Sequence, residues 1–172
     1  MNEEKTIKKG RFRFEKVFQF PDEVEDFIKM TMQRFNLEEK TFCHVFAGRS
    51  RLGGIKIDIV KELNPDIVAD VLEIPFILGD DSQENVIADP PWVIPYGKRR
   101  YFTYALRDVC KENGYLIINS PWNPWVKGLE LVEVWIVTQA FNSYRDLPLF
   151  WIFRKLTEQE MYEKYPPKKS KT

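Results

Sequence analysis

The stretch Asp89-Pro90-Pro91-Trp92 follows the short apolar segment NVIA and combines residue types suited to chemistry on an aromatic amine. The lone pair of such an amine is delocalised into its ring, so the nitrogen is a poor nucleophile. A carboxylate and a neighbouring backbone carbonyl can accept hydrogen bonds from both N–H groups and stabilise the positive charge that develops on alkylation. Two prolines fix the backbone at φ of about −65°, and the indole offers a face for stacking. The alternative is a rigid turn, because proline is a common turn former.

Polar side chains end several of the short apolar segments that are typical of buried parallel strands. In open α/β sheets, ligands bind outside the carboxyl ends of such strands. Any one of these residues alone is more simply a turn residue, whereas several in succession favour a binding site. They are Asp58, Asp70, Asp89 and Asn119.

The segment HVFAG places Gly48 directly after a predicted strand, where a glycine lets a ligand approach the backbone closely. Asp58, about ten residues further on, can accept hydrogen bonds from two ribose hydroxyls. Asp70 supplies an acceptor where an adenine amine would lie. The sequence lacks a Walker-type glycine-lysine loop, so these residues predict a site for an adenosine-like group without phosphates.

The order of these motifs resembles a known family. Asp-Pro-Pro-Trp after a strand is similar to the catalytic motif of amino-group methyltransferases, especially those that act on adenine in DNA or RNA. Phe46-Ala47-Gly48 is similar to their S-adenosylmethionine motif. The resemblance implies S-adenosylmethionine as the cofactor and the Rossmann-like α/β class I methyltransferase fold. That fold has a mostly parallel seven-stranded sheet in the order 3-2-1-4-5-7-6, with an antiparallel C-terminal pair.

The resemblance also implies roles for individual residues. The carboxylate and the following carbonyl would hold the target amine, and the aromatic ring would stack on the base. The implied catalytic residues are Asp89, Pro90, Pro91 and Trp92. The implied cofactor-binding residues are Phe46, Ala47, Gly48, Asp58, Asp70 and His44.

The chain departs from the family pattern near the cofactor motif. His44 stands where an acid is usual, and Ser50 stands where a second glycine is common. His44 is either a cofactor contact or an ordinary strand histidine, and the second interpretation is the simpler one. About seven residues separate Phe46 from Gly54, fewer than the ~10–12 that a helical crossover takes. We therefore expect the first helix after the cofactor motif to be missing.

Cations and aromatic rings alternate after Trp92 and again after the fifth predicted strand. Cations suit phosphates and rings suit splayed bases, as in single-strand recognition. The alternative is a helix start with solvated charges and packed aromatic side chains. We name these predicted substrate-binding residues the rim: Tyr96, Lys98, Arg99, Arg100, Asn119, Trp122 and Trp125.

Composition limits the classes of function. The 172 residues carry 26 Lys and Arg against 26 Asp and Glu, so nucleic-acid binding would need a local basic patch. Two cysteines without CxxC spacing suggest buried thiols in a reducing cytosol, and no apolar run reaches the ~18 residues of a membrane span. We expect a cytoplasmic protein with no metal site. The predicted organisation is a mobile tail at 1–10, a single domain at 11–160 and a basic tail at 161–172.

The apolar patterns predict the following elements. Helices are expected over 20–35 and over 101–114, the second ending at Gly114. Strands are expected over 41–46, 53–60, 65–70, 85–89 and 115–119. A final antiparallel pair is expected over 130–141 and 147–156, joined by the turn 142–146.

These observations together predict an S-adenosylmethionine-dependent methyltransferase acting on an exocyclic amino group of a nucleobase, adenine favoured, in DNA or RNA. Specificity would come from a partner protein, from the rim or from a structured RNA. One alternative is methylation of a protein amide or a small molecule. Another is a non-catalytic binding subunit with the same fold, which the short segment after Gly48 favours.

Overall fold

The computed structural model describes residues 20, 22–92, 94–136 and 149–167. The predicted N-terminal tail and the turn 142–146 lie outside these ranges. The strands are β1 (Phe42–Val45), β2 (Ile55–Asp58), β3 (Ile67–Val68), β4 (Asn85–Ala88), β5 (Tyr115–Asn119), β6 (Leu129–Ile136) and β7 (Leu149–Lys155). The α-helices are α1 (Asp22–Arg34), α2 (Ile74–Leu78), α3 (Tyr96–Val109) and α4 (Glu158–Lys164).

The seven strands form one sheet in the order β3-β2-β1-β4-β5-β7-β6. Strands β1 to β5 pair in parallel, while β7 runs antiparallel to both β5 and β6. The predicted fold and strand order are therefore confirmed. Parallel pairing brings the carboxyl ends of β1 to β5 to one edge of the sheet, which we call the carboxyl edge.

Alternation along the strands divides the core between the two faces of the sheet. On one face, Val24, Ile28 and Met32 of α1 pack with Ile87 and Ile117, and all of these side chains are buried. Their spacing of four residues keeps them on one side of the helix. Full burial of such side chains stabilises the fold by roughly 1.5–3 kcal/mol each. Helices α2 and α3 cover the opposite face.

The segment that joins β1 to β2, residues 46–54, contains no helix, as the sequence predicts. We call this segment the cofactor loop. Parallel neighbours are ordinarily joined by a helix that covers one face of the sheet. Here α1, which precedes β1, covers that face instead. Its first turn touches the cofactor loop, because the Ser50 hydroxyl donates a hydrogen bond of 2.8 Å to buried Glu25.

Two element boundaries differ from the sequence-based expectation. Helix α3 begins at Tyr96 and ends at Val109, so Gly114 is not its stop. A Cβ at Gly114 would lie 2.2 Å from the carbonyl oxygen of Glu84, so this glycine permits close packing between two loops. Helix α4 crosses the predicted boundary at 160/161, because Thr157 and Glu160 form a capping box at its start.

No helix within the described ranges is long and apolar enough to cross a membrane.

Candidate active site

The start of the cofactor loop is tied to the end of β2. The amide of Ala47 donates to the carbonyl of Ile57 at 3.1 Å, and the amide of Gly48 donates to Oδ2 of Asp58 at 2.9 Å. Phe46 has a φ of 58° and Gly48 a φ of 56°. A left-handed phenylalanine is uncommon and costs backbone strain, which structures tend to retain at functional sites. The loop therefore brings the predicted residues Phe46, Ala47 and Gly48 against Asp58.

Asp58 is buried and holds two backbone amides. Its Oδ2 accepts from Gly48, and its Oδ1 accepts from Val60 at 2.9 Å. A carboxylate has about four acceptor positions in all. Two positions thus remain for a ligand hydroxyl, and the backbone contacts fix the orientation of the group.

Asp70 closes the same region from the end of β3. Its Oδ1 accepts from the amide of Leu72 at 2.9 Å, and its own amide donates a hydrogen bond of 3.3 Å to the carboxylate of Glu73. Asp70 is thus the N-cap of a short 3-10 turn, a role that also accounts for an aspartate at this position.

Asp58 and Asp70 share one small cavity. Its volume is about 70 Å³, and most of its wall is apolar. The lining residues are Val45, Phe46, Ile57, Asp58, Ile59, Ala69, Asp70 and Val71. The structure therefore brings three of the predicted cofactor residues together around an apolar space with two carboxylates at its border.

Asp89 lies at the carboxyl end of β4, beside the last residue of β5. Nδ2 of Asn119 donates a hydrogen bond of 2.8 Å to Oδ1 of Asp89. Burial raises the pKa of Asp89 to about 7, and the bond from Asn119 opposes this rise. Oδ1 of Asn119 is buried and has no hydrogen-bond partner among the described residues. The site thus holds a carboxyl group with a raised pKa beside an acceptor that no described residue pairs.

The rest of the motif continues outward from Asp89. Pro90 is buried, Pro91 is exposed and Trp92 is half-buried. The carbonyl of Pro91 accepts from the amide of Ile94 at 3.1 Å, which closes a turn. The motif therefore forms a turn, which is the alternative that the prolines left open, and the same turn carries the half-buried Asp89.

His44 is placed differently from the other predicted cofactor residues. It is fully buried in β1, and its ring stacks on Phe20 with centroids 5.9 Å apart. Nδ1 lies 3.2 Å from the carbonyl of Leu52, and Nε2 has no partner among the described residues. Burial lowers the pKa of His44 to about 4. This placement favours the structural interpretation of His44 over a cofactor contact.

Part of the rim forms a stacked group. The guanidinium of Arg99 lies 4.1 Å from the ring centroid of Trp122 and 5.8 Å from that of Tyr96, which is 85% exposed. Its Nε donates to the carbonyl of Ile94 at 3.1 Å. Two rings and a cation at such distances attract one another and present a flat, positively charged surface.

The other rim residues are less closely associated. Lys98 is exposed, and Arg100 contacts Tyr104 through a hydrogen bond of 3.3 Å. Trp125 is 44% exposed and donates from its indole to the carbonyl of Leu129 at 2.8 Å. That bond joins Trp125 to the first residue of β6, so Trp125 also fits the alternative of local aromatic packing.

Two residues near the site were missed by sequence reasoning. Glu25 supports the cofactor loop through Ser50, and only the replacement of a usual glycine by Ser50 hinted at this contact. Ser120 is fully buried and supports the loop after β5. Its hydroxyl donates to the carbonyl of Trp122 at 2.6 Å, and its own carbonyl accepts from the indole of Trp151 at 3.0 Å.

No group of three or more His, Cys, Asp or Glu side chains in the described part of the chain is arranged to hold a metal ion.

No protein-family model matches the sequence, and no curated protein matches it. Solved structures are nevertheless similar in fold. TrmN from Thermus thermophilus has a TM-score of 0.55 and 12% identity, covering 74% of this chain and 48% of that one. The N-methyltransferase NodS from Bradyrhizobium japonicum WM9 has a TM-score of 0.55 and 11% identity, and the match covers 79% of this chain and 98% of NodS. This chain thus spans about half the length of TrmN. The strand order and these similarities show that the chain has the Rossmann-like fold of class I methyltransferases.

Proposed function

We propose that the protein is an S-adenosylmethionine-dependent methyltransferase that acts on an exocyclic amino group of a nucleobase, adenine favoured, in RNA or DNA. The observation that carries the proposal is the half-buried Asp89, whose carboxyl lies beside Asn119 at the carboxyl edge of the sheet and has a raised pKa. A titratable group with a strongly shifted pKa at the ligand-binding edge of an α/β sheet is typical of an active site.

The cavity beside the cofactor loop fits the adenosine part of the cofactor in chemical type. Its apolar wall suits a purine ring, and its two carboxylates, Asp58 and Asp70, suit ribose hydroxyls and an exocyclic amine. When bound, S-adenosylmethionine supplies an electrophilic methyl group. The cavity of about 70 Å³ is smaller than the ~300–1,000 Å³ of ligand pockets, so binding requires the cofactor loop to move.

At the reaction centre the protein's task is to hold the amine and receive charge. Asp89 accepts a hydrogen bond from the amine, and the carbonyl of Pro90 accepts a second one. A carboxyl group whose pKa is about 7 also suits the proton that the amine loses, because a catalytic base works best with a pKa near the operating pH. Trp92 supplies a face on which the base stacks.

The stacked group of Arg99, Trp122 and Tyr96 supports a nucleic-acid substrate. Aromatic faces bind bases with little sequence preference, and the neighbouring cations bind phosphates. Selection among sequences then falls to the rim, to a structured RNA or to a partner protein. The proposal includes a site of action in the cytoplasm.

A non-catalytic binding subunit is the second candidate. It is favoured by the cofactor loop, which lacks a helix, and by Asp58, whose two oxygens already accept backbone amides. In such a protein the fold would serve to bind nucleic acid alone.

Calorimetric titration with S-adenosylmethionine separates the two candidates. We expect the wild type to bind, and Asp58→Ala to weaken binding by ~1.5–3 kcal/mol, the range of charge-assisted hydrogen bonds. Asp80→Asn, an exposed change in the loop after α2, is the control and should leave affinity unchanged. A tritiated-methyl transfer assay on RNA and DNA pools then identifies the substrate. No heat of binding at millimolar cofactor would exclude the enzyme and leave the binding subunit.

A further inference from the structure

The strongest unexplained feature at the carboxyl edge is the amide of Asn119. It is 5% exposed, and its Nδ2 donates to Asp89. Its Oδ1 is equally inaccessible and has no partner among the described residues. An unpaired buried acceptor has lost its hydrogen bonds to water without gaining others, so folded proteins seldom keep one without a reason.

Asn85 shows how this sheet treats an amide with a purely structural role. It is also 5% exposed, and it lies at the opposite end of β4. Its Nδ2 donates to the hydroxyl of Thr41 at 2.8 Å, and its Oδ1 accepts from the amide of Tyr115 at 2.9 Å. Both halves of this amide are paired within the protein, in contrast to Asn119.

Pairing along the sheet fixes the position of Asn119. Ala88 is the register partner of Ile118, so Asp89 and Asn119 are the next residues on two neighbouring parallel strands. Asn119 is also the register partner of Phe150 on β7, so it is still part of a paired strand. The donor therefore reaches Asp89 from a rigid element, whereas Asp89 itself begins a turn.

We propose that Asn119 is a positioning residue that holds Asp89 ionised and correctly oriented to receive the target amine, with its free Oδ1 kept for substrate. The inference rests on the proposed function, which assigns Asp89 its role. Nδ2 of an amide can only donate, so it stabilises a carboxylate oxygen and opposes protonation at that oxygen. This effect counteracts the burial that otherwise favours the neutral acid.

Ionisable side chains on the neighbouring elements β1, α1 and α3 make their contacts elsewhere. His44 on β1 is kept neutral by burial, which lowers its pKa to about 4. Glu25 on α1 accepts a hydrogen bond from Ser50, and Arg99 on α3 donates to the carbonyl of Ile94. Apart from burial, the hydrogen bond from Asn119 is the one interaction in the described structure that shifts the pKa of Asp89.

The first test measures the pKa of Asp89 directly, by ¹³C NMR titration of the side-chain carboxyl carbons, with Asp89→Asn identifying the signal. We expect Asn119→Leu to raise this pKa by about one unit, the effect of losing one hydrogen bond to the charged form. Asn85→Leu is the matched control, since it removes an equally buried amide from the other end of the sheet. It should leave the pKa of Asp89 unchanged. An unchanged pKa in Asn119→Leu would overturn the inference.

Asn119→Asp keeps the test decisive if the leucine variant does not fold. The side chain keeps its shape, but a donor becomes a second carboxyl group, and two such groups in contact cannot both ionise easily. The higher of the pair's two pKa values should then lie further above the wild-type pKa of Asp89 than the pKa in Asn119→Leu does. If this higher value equals the wild-type pKa, the inference is again overturned.

The second test is the pH profile of methyl transfer. Because Asp89 acts as a carboxylate, kcat/KM should fall as the pH drops through its pKa. In Asn119→Leu this fall should move to higher pH by the same interval that the NMR titration shows, while the affinity for S-adenosylmethionine stays within about twofold. Absence of transfer by the wild type would refute the proposed function, and the carboxyl titration would still decide the inference. A wild-type pH profile in Asn119→Leu would refute the inference and leave the proposed function standing.

Discussion

The two ends of strand β4 treat polar groups in opposite ways. At its start, Asn85 pairs both halves of its amide with Thr41 and Tyr115. At its end, burial raises the pKa of Asp89, and the side-chain carbonyl of Asn119 has no partner among the described residues. All four residues of β4, Asn85–Ala88, are buried. One end of the strand therefore pairs its polar groups within the protein, whereas the other leaves them less completely paired at a cost in stability.

The backbone shows the same difference. Near the start of β4, Gly114 allows tight packing against the carbonyl of Glu84 without left-handed geometry. At the carboxyl edge, Phe46 adopts a φ of 58°, which a residue with a side chain seldom does. Strain and unpaired polar groups thus occur at the same edge, as expected where function competes with stability.

The largest effect should come from Asp89→Ala. Removing one preorganised electrostatic group typically lowers the rate of the chemical step by ~10²-fold or more. The affinity for S-adenosylmethionine should stay within about threefold, roughly 0.6 kcal/mol, because the proposed function assigns Asp89 to the amine and not to the cofactor. Transfer assays beside calorimetry measure both quantities. A folded variant that transfers methyl at the wild-type rate would contradict the assigned role.

Asn85→Leu should have the reverse profile. It leaves the amide of Tyr115 and the hydroxyl of Thr41 without their partner, which costs about 2 kcal/mol of unfolding free energy. Transfer per folded molecule should not change, because the carboxyl edge is untouched. Denaturant melts and the transfer assay, run on one preparation, give the two numbers. A loss of turnover without a loss of stability would contradict the purely structural role of Asn85 at the start of β4.

Asp89→Asn should change how the stability of the protein depends on pH, because it removes the carboxyl group whose pKa is raised. Folding raises the pKa of Asp89 to about 7, so the carboxyl stabilises the fold fully below its unfolded pKa of about 3.9. That contribution is lost as the pH rises through about 7. The neutral asparagine does not titrate, so the unfolding free energy of the variant should rise relative to that of the wild type by about 1–2 kcal/mol between pH 5 and 8. The change is smaller than full burial would give, because Asp89 is half-buried. A constant difference in stability across that range would show that Asp89 is not desolvated.

The smallest effect concerns the rim. Replacing Lys98, Arg99 and Arg100 with Ala should weaken nucleic-acid binding about three- to tenfold at low salt and flatten its salt dependence, since each cation that contacts a phosphate adds about one unit to the slope. The control replaces Lys40, Lys111 and Lys164, which are exposed at the opposite edge of the sheet. Equal salt slopes for the two triple variants would redirect the search to protein or small-molecule substrates.

The sequence predicted the sheet because its information is local. Short apolar runs such as NVIA and YLII identify strands, and the resemblance of Asp-Pro-Pro-Trp supplied their order. The contacts that distinguish the two ends of β4 are not local: Asn119 reaches Asp89 across thirty positions, and Asn85 reaches Thr41 across 44. Asn119 was predicted as a rim residue from its place at a strand end, but nothing in the sequence indicated its bond to Asp89.

The start of α3 and the role of Gly114 were missed for a related reason. Gly114 looked like a helix stop because glycine commonly follows helices. Its actual constraint is the carbonyl of Glu84, which comes close only after the chain has folded back through α3. Glu25 was missed likewise, because an acid in the first turn of a helix is expected on dipole grounds alone.

The position of α1 in the chain has a consequence for local opening. In a fold where this helix joined β1 to β2, releasing it would strain the sheet at both of its ends. Within the described residues, the segment 35–41 before β1 is what connects α1 to the sheet, so α1 can open while the strands stay paired. Amide hydrogen exchange should therefore show α1 opening at a lower free energy than β1, β4 and β5. Because α1 covers the face that bears Ile87 and Ile117, the residues two positions before Asp89 and Asn119, such openings would admit solvent beside these two polar residues.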